Sequence, residues 1–171
     1  MAAGSTYTLI SSQTLGSSAS TVTFSSIPST YTDLVLIASA RVTGGQNSDG
    51  MDVYCYLNSD SGANYSNTQF YGNGSSASSN RGTNWTAVYA GVSSNGSQNS
   101  WPTIVLNINN YANTTTYKTV LSRADSPIAY TTTKVSLWRN TSAINSLTFF
   151  PELSLSFVSG SIFSLYGIAA A

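Results

Sequence analysis

Few side chains in this sequence are suited to catalysis. The chain has no histidine, so it lacks the commonest general base and a common metal ligand. Many serines are present, but none lies in a Gly-x-Ser-x-Gly elbow. The acidic residues are Asp33, Asp49, Asp52, Asp60, Asp125 and Glu152. A glycosidase needs two carboxylates across a cleft, whereas the neighbouring Asp49 and Asp52 fit turn capping at a strand entry, so we expect no catalytic residue and no enzymatic activity.

The only kind of metal site for which the sequence offers candidate ligands is a calcium site. Asp49, Asp52, Asn58 and Asp60 offer hard oxygen ligands in adjacent loops. Their spacing fits no known calcium-binding loop. We therefore expect no metal and no other cofactor, while a site near Asp49, Asp52 and Asp60 stays undecided.

Aromatic residues interleaved with asparagines indicate binding rather than catalysis. The set that we consider a ligand or partner surface is Tyr65, Tyr71, Asn84, Trp85 and Trp101. Aromatic faces beside amides combine flat apolar area with hydrogen bonding, as a sugar-binding or protein-binding surface requires. The alternative is that Tyr89 and Trp101 belong to the core and that the other rings pack on neighbouring subunits.

These side chains depend on β-strands for their positions. Residues 32–41 contain four consecutive apolar residues, Leu34 to Ile37, which predict a central strand that is packed on both faces. The alternation in 51–57 predicts a half-buried strand, in which Cys55 is a buried, inert thiol. Further strand-like segments are 6–10, 20–24, 86–92, 101–109, 115–122, 131–138, 144–150 and 161–168. Residues 58–82 are predicted to be a long polar loop region, interrupted only at 68–71.

About ten short strands without helical periodicity predict an all-β fold. We expect an antiparallel β-sandwich, jelly-roll-like, with one long polar loop region. The 171 residues are expected to form a single domain, 1–171, in which 1–5 are a flexible N-terminal arm. No secretion signal and no run of about 20 apolar residues are visible, so we expect synthesis in a cytoplasm and no membrane partner.

The charge content limits the partners that the chain can have. Only 7% of the residues are charged, against roughly 25% in an average domain, and six basic residues balance six acidic ones. Without a basic face, nucleic-acid binding is not expected. Weak electrostatic repulsion favours self-association. The single cysteine excludes an intramolecular disulfide.

Segments along nearly the whole chain are similar to one set of known proteins. The segments are 7–15, 27–36, 57–58 with 64–66, 110–112 leading to 117–118, 137–138 with 143–147, and 160–168. The last of these, which contains Ser-Leu-Tyr-Gly-Ile, is the most specific. In these segments the chain resembles tailed-bacteriophage virion structural proteins, which include capsid decoration and tail-fibre proteins.

The resemblance implies a component of the exterior of the virion. We expect a capsid decoration or cement protein, because the chain from Met1 offers no long shaft to anchor a fibre. We expect a homotrimer whose other partners are virion proteins such as major capsid or tail proteins. The alternative is a tail-fibre or receptor-binding protein that recognises a host surface glycan through residues 58–101. A glycan-cleaving depolymerase is disfavoured because paired acids are missing.

Overall fold

The fold consists almost entirely of β-strands. The computed structural model describes residues 6–44, 50–95, 99–126 and 130–169. The strands in this part of the chain are β1 (Tyr7–Thr14), β2 (Val22–Phe24), β3 (Asp33–Ser39), β4 (Arg41–Val42), β5 (Met51–Leu57), β6 (Tyr65–Gly72), β7 (Ala77–Trp85), β8 (Val88–Asn95), β9 (Thr103–Asn109), β10 (Lys118–Asp125), β11 (Thr131–Trp138), β12 (Leu147–Pro151) and β13 (Ile162–Ile168). One 3₁₀ turn lies at Glu152–Ser154.

The strands form two sheets of unequal width. The larger sheet has eight strands in the order β1-β13-β3-β9-β10-β11-β6-β7, and the smaller has five in the order β2-β12-β5-β8-β4. Neighbouring strands are antiparallel except for β4 and β8, which pair in parallel through two residue pairs. The predicted all-β sandwich is confirmed. The predicted number of about ten strands was too low, mainly because one hairpin was assigned to a loop.

The core lies between the sheets, and β3 supplies its centre. Leu34 and Leu36 are fully buried, and Leu36 is paired with Leu165 of β13 and Leu106 of β9. The prediction that this run is packed on both faces was wrong at Ile37, which is 41% exposed on the side away from the core. Cys55 is a free, fully buried thiol, as predicted, and its burial raises its pKa.

The predicted loop region 58–82 contains a β-hairpin instead. Strands β6 and β7 pair from Tyr65 and Trp85 to Gly72 and Ala77. Asn73 closes the turn, since its Oδ1 accepts hydrogen bonds from the backbone N–H groups of Ser75 and Ser76. The side chains of β7 are largely exposed, so the ladder of backbone hydrogen bonds, rather than an apolar alternation, defines this strand.

Two sequence predictions fall on residues outside the described ranges. These are the flexible arm at 1–5 and the possible calcium ligand Asp49. In the described ranges, no helix is long and apolar enough to cross a membrane.

Gly167, in β13, leaves space for the aromatic ring of Tyr31. A Cβ at this position would overlap the ring carbons of Tyr31, which packs against the core. We therefore expect Gly167→Ala to lower the free energy of unfolding by about 1–3 kcal/mol, the usual cost of overpacking. Urea unfolding measures the difference. Gly16→Ala is the control, because nothing lies within 4 Å of a Cβ there. Equal stability of the two variants would contradict this packing.

Candidate functional site

A cleft of about 300 Å³ lies between the end of the larger sheet and the smaller sheet. We call it the cleft. It is lined by Asp52, Asn67, Gln69, Tyr71, Asn80, Trp85, Tyr89, Tyr130, Thr132 and Lys134. These residues come from β6, β7 and β11 of the larger sheet and from β5 and β8 of the smaller, together with Tyr130, which precedes β11.

Strand register brings the polar residues of the cleft together. Lys134 of β11 is paired with Gln69 of β6, which is paired with Asn80 of β7. Alternation along a strand puts Thr132 on the same face as Lys134, and Tyr71 on the same face as Gln69. On the opposite side, β4 covers β8 only at Ser94 and Asn95, so Tyr89 lies where β8 forms the edge of its sheet.

Asp52 accepts hydrogen bonds from three tyrosine hydroxyls. Its Oδ1 lies 2.6 Å from the hydroxyl of Tyr89 and 3.3 Å from that of Tyr130, and its Oδ2 lies 3.4 Å from that of Tyr54. Burial, reinforced by the negative charge of Asp52, raises the pKa of Tyr130 to about 12 and the pKa values of Tyr54 and Tyr89 further. The hydroxyls therefore stay protonated as donors. The predicted turn-capping role of Asp52 was wrong, because Asp52 lies within β5.

Lys134 is the buried cation of the cleft. Its residue is only 6% exposed, and its Nζ lies 2.9 Å from the centroid of the Tyr89 ring. Burial lowers the pKa of its ammonium from 10.5 to about 8, although the charge of Asp52 acts in the opposite direction. Among the residues that the structure describes, no oxygen accepts a hydrogen bond from this ammonium. The ammonium therefore contacts the face of an aromatic ring and lies in the field of Asp52, without a hydrogen bond to an oxygen of the described residues.

Aromatic rings form the walls of the cleft. Trp85 is 39% exposed and stacks on Tyr54, with ring centroids 6.5 Å apart, while Tyr71 meets Tyr130 edge to face at 6.2 Å. Asn84 is the extra residue at a register shift in the β6–β7 ladder, and its φ of 61° is left-handed. Such a bulge redirects the chain, so Asn84 helps to orient Trp85.

The predicted ligand surface is only partly assembled. Tyr71 and Trp85 meet in the cleft, and Asn84 lies beside it, where its Oδ1 accepts a hydrogen bond from Arg139. Trp101 lies elsewhere, with the guanidinium carbon of Arg41 5.1 Å from its ring centroid. Its side chain is 41% exposed, so it is not a core residue.

Tyr65 corrects the prediction most clearly. Its side chain has no exposed area, its ring stacks on Trp138, and its hydroxyl donates to the backbone oxygen of Asp60 at 2.8 Å. It cannot form part of a surface. Trp138 is itself buried.

The candidate calcium ligands belong to separate hydrogen-bond networks. Asp52 faces the cleft, whereas Asp60 lies in the turn after β5 and accepts hydrogen bonds from Trp138 Nε1 at 2.6 Å and from the N–H of Gly62. Burial alone would raise the pKa of Asp60, but these bonds and one from Asn64 lower it. Asn58 Oδ1 accepts from the backbone of Asn145. In the described part of the chain, no group of three or more His, Cys, Asp or Glu residues could hold a metal ion.

Comparison with known proteins adds no assignment to this geometry. No protein-family model matches the sequence, and no curated protein matches it. The assignment of the cleft as a site therefore rests on its own geometry and chemistry.

The sequence predictions missed several residues of the site, above all Lys134. A signal for it exists in retrospect. Thr132, Lys134, Ser136 and Trp138 are alternate residues of a strand that ends in a core tryptophan, so a lysine in this series must face inward.

The pKa of Lys134 gives the cleft a testable effect on stability. The unfolded chain keeps this proton up to about pH 10.5, whereas the folded chain loses it near pH 8. Between these values the unfolded state binds more protons, so stability rises with pH. We expect the wild type to gain stability relative to Lys134→Met between pH 7.5 and pH 9.5, as measured by urea unfolding.

Arg123→Gln is the control, because it removes one positive charge from an exposed position of the neighbouring strand β10. Its stability relative to the wild type should be constant with pH. A constant difference for Lys134→Met as well would show that the lysine is not held in a desolvated state.

Proposed function

We propose that this chain is a non-catalytic structural protein of the outer surface of a tailed-phage virion, acting as a capsid decoration or cement protein. The proposal starts from the family resemblance. Its most specific segment, 160–168, includes all of β13, which lies between β1 and β3 in the larger sheet. The motif therefore belongs to the framework of the fold rather than to the cleft.

The observation that carries this proposal is the apolar character of the outer face of the larger sheet. We define the outer face as the side turned away from the smaller sheet. Its exposed apolar side chains are Tyr7, Leu9, Ile37, Phe70, Leu121, Val135 and Ile162. Most of the large apolar residues that are exposed in the described ranges lie on this one face.

Two pairs of apolar residues are direct neighbours across the strands of the outer face. Leu121 of β10 is paired with Val135 of β11, and Ile37 of β3 is paired with Val105 of β9. Arg123 and Asn107 lie between these two pairs. Exposed apolar surface marks interaction sites, and its burial contributes roughly 25 cal/mol per Å². A chain with no net charge offers little electrostatic resistance to this association. These properties support self-association and binding to other virion proteins through a sheet face, and we propose that the assembled form is a homotrimer.

The proposal is tested on intact particles. We expect labelled protein to appear on the head by electron microscopy, and heads stripped of it to disrupt at a lower temperature. The double variant Leu121→Lys, Val135→Lys should be monomeric by sedimentation and should not rebind stripped heads, because two ammonium groups would be buried in the contact.

Leu153→Lys is the matched control, since Leu153 is exposed in the 3₁₀ turn, away from the outer face. It should assemble and rebind normally. Unchanged assembly of the double variant would remove the outer face from the proposal. Absence of label from the head, with unchanged thermal stability of stripped particles, would reject the decoration role.

A second candidate function is recognition of a host surface glycan by a tail-fibre or receptor-binding protein. The observation that favours it is the cleft, whose lining combines the partly exposed Trp85 with the amides of Asn67, Gln69 and Asn80. Sugar rings stack on such aromatic faces while their hydroxyls bind amides. Among the described residues that line the cleft, Asp52 is the only acidic one.

Trp85→Ala tests this second function. We expect about a tenfold loss in binding to host cells and to glycan arrays, because the variant loses the stacking surface. Trp101→Ala is the matched control, since its ring is similarly exposed but lies outside the cleft. If the two variants bind equally, the cleft is not the site of recognition.

A further inference from the structure

We infer that the cleft binds an acidic sugar, with the carboxylate of the sugar at the ammonium of Lys134 and a face of its ring on Trp85. This inference rests on the second candidate function and specifies the class of glycan. It concerns the side of the larger sheet opposite to the outer face.

Lys134 provides the first argument. Its side chain is 94% buried, yet it lines the cleft, and its ammonium contacts the face of the Tyr89 ring. An ammonium group has three hydrogen-bond donors, whereas a ring face provides no lone pair. The described residues supply no hydrogen-bond acceptor to this ammonium. A ligand oxygen would satisfy these donors, and a charged one would do so most strongly.

Asp52 provides the second argument, because it explains why the ligand is an acid rather than an amine. Both of its carboxylate oxygens already accept hydrogen bonds from tyrosine hydroxyls, at 2.6 Å, 3.3 Å and 3.4 Å. Its capacity as an acceptor is largely used. The hydrogen-bond donors of Lys134 are therefore available to a ligand, whereas most of the acceptor positions of Asp52 are already occupied.

The remaining walls of the cleft account for the sugar ring. Trp85 is supported from behind by Tyr54 and keeps one part of its ring exposed. Asn67, Gln69 and Asn80 provide amide donors and acceptors for hydroxyl groups. The volume of about 300 Å³ lies at the lower end of the range for ligand pockets and suits one sugar unit.

The titratable groups around Lys134 predict how binding depends on pH. Asp52 faces it from β5, Tyr89 from β8, Tyr71 from β6 and Tyr130 from the segment before β11. The pKa values of Tyr89 and Tyr130 are raised by burial, so both stay neutral at pH 9, whereas Lys134 loses its proton near pH 8. Affinity for an acid should therefore fall as the pH rises above 8, while affinity for a neutral sugar should not follow this titration.

The experiment compares sugars that differ only in the carboxylate. The full chain is titrated calorimetrically at pH 7 and pH 9 with methyl glucuronide against methyl glucoside, and with the galacturonide and mannuronide against their neutral forms. A sialic acid glycoside is compared with its carboxyl-reduced form. We expect at least one acid to bind tenfold or more tightly than its neutral partner at pH 7, and this preference to shrink at pH 9.

Variants assign the preference to Lys134. Lys134→Met should abolish the preference for the acid, Lys134→Arg should retain part of it, and Arg123→Gln, on the outer face, should leave it unchanged. Thermal unfolding checks that each variant is folded, and the comparison of matched sugars on the wild type stands without them.

Each contrary result has its own meaning. If neutral sugars bind as tightly as acids and Trp85→Ala weakens both, the acidic sugar is wrong while glycan recognition stands. If acetate alone binds as tightly as the acidic sugars, the cleft is a simple anion site and the inference is overturned. If no sugar binds, both the inference and the second candidate function are overturned.

Discussion

The structure depends on the close approach of β8 to β9 and β10 of the opposite sheet. A Cβ on Gly91 would lie 2.7 Å from the Cβ of Ala124 and 3.1 Å from Ile104 Cγ1, so only glycine allows this spacing without a shift. Two residues earlier in each of these strands, Ser122 Oγ of β10 donates a hydrogen bond to the backbone oxygen of Tyr89 in β8, with a distance of 3.0 Å. This contact fixes Tyr89, and Tyr89 in turn holds both the ammonium of Lys134 and the carboxylate of Asp52.

The unequal width of the sheets explains why a cleft forms at that place. Where the smaller sheet faces the larger one, inward residues such as Leu106 and Val120 meet apolar partners and are fully buried. At the level of the cleft, the smaller sheet ends at β8, whereas the larger sheet continues through β11, β6 and β7. Inward residues beyond that edge, such as Gln69, meet no apolar layer, and polar side chains occupy these positions. The cleft thus forms because the larger sheet has more strands than the smaller one, and not because a loop has been added.

The sequence predicted the fold better than the site, for a physical reason. Strand β11 was predicted at its observed bounds, and so was β5, because residues that face an apolar layer must alternate, and alternation is visible in one chain. Strand β7 has no such layer on either side, so nothing in its residues distinguishes it from a loop.

The same limit explains the site predictions. Tyr71 and Trp85 were chosen because of their residue types, but so was Tyr65, whose ring is buried against Trp138. Lys134 was missed because a lysine is ordinarily read as an outward residue. Only the register of β11 against β6 shows that it faces Gln69 and the cleft.

The outer face and the cleft lie on opposite sides of the larger sheet, and this arrangement has a consequence for avidity. If copies pack through the outer face, their clefts face away from the contact, and an assembly of copies displays several of them. Multivalent attachment multiplies weak affinities without any new contact, provided that geometry allows simultaneous engagement. A single shallow site with modest affinity for one sugar would then be sufficient for firm adhesion to a surface that repeats that sugar.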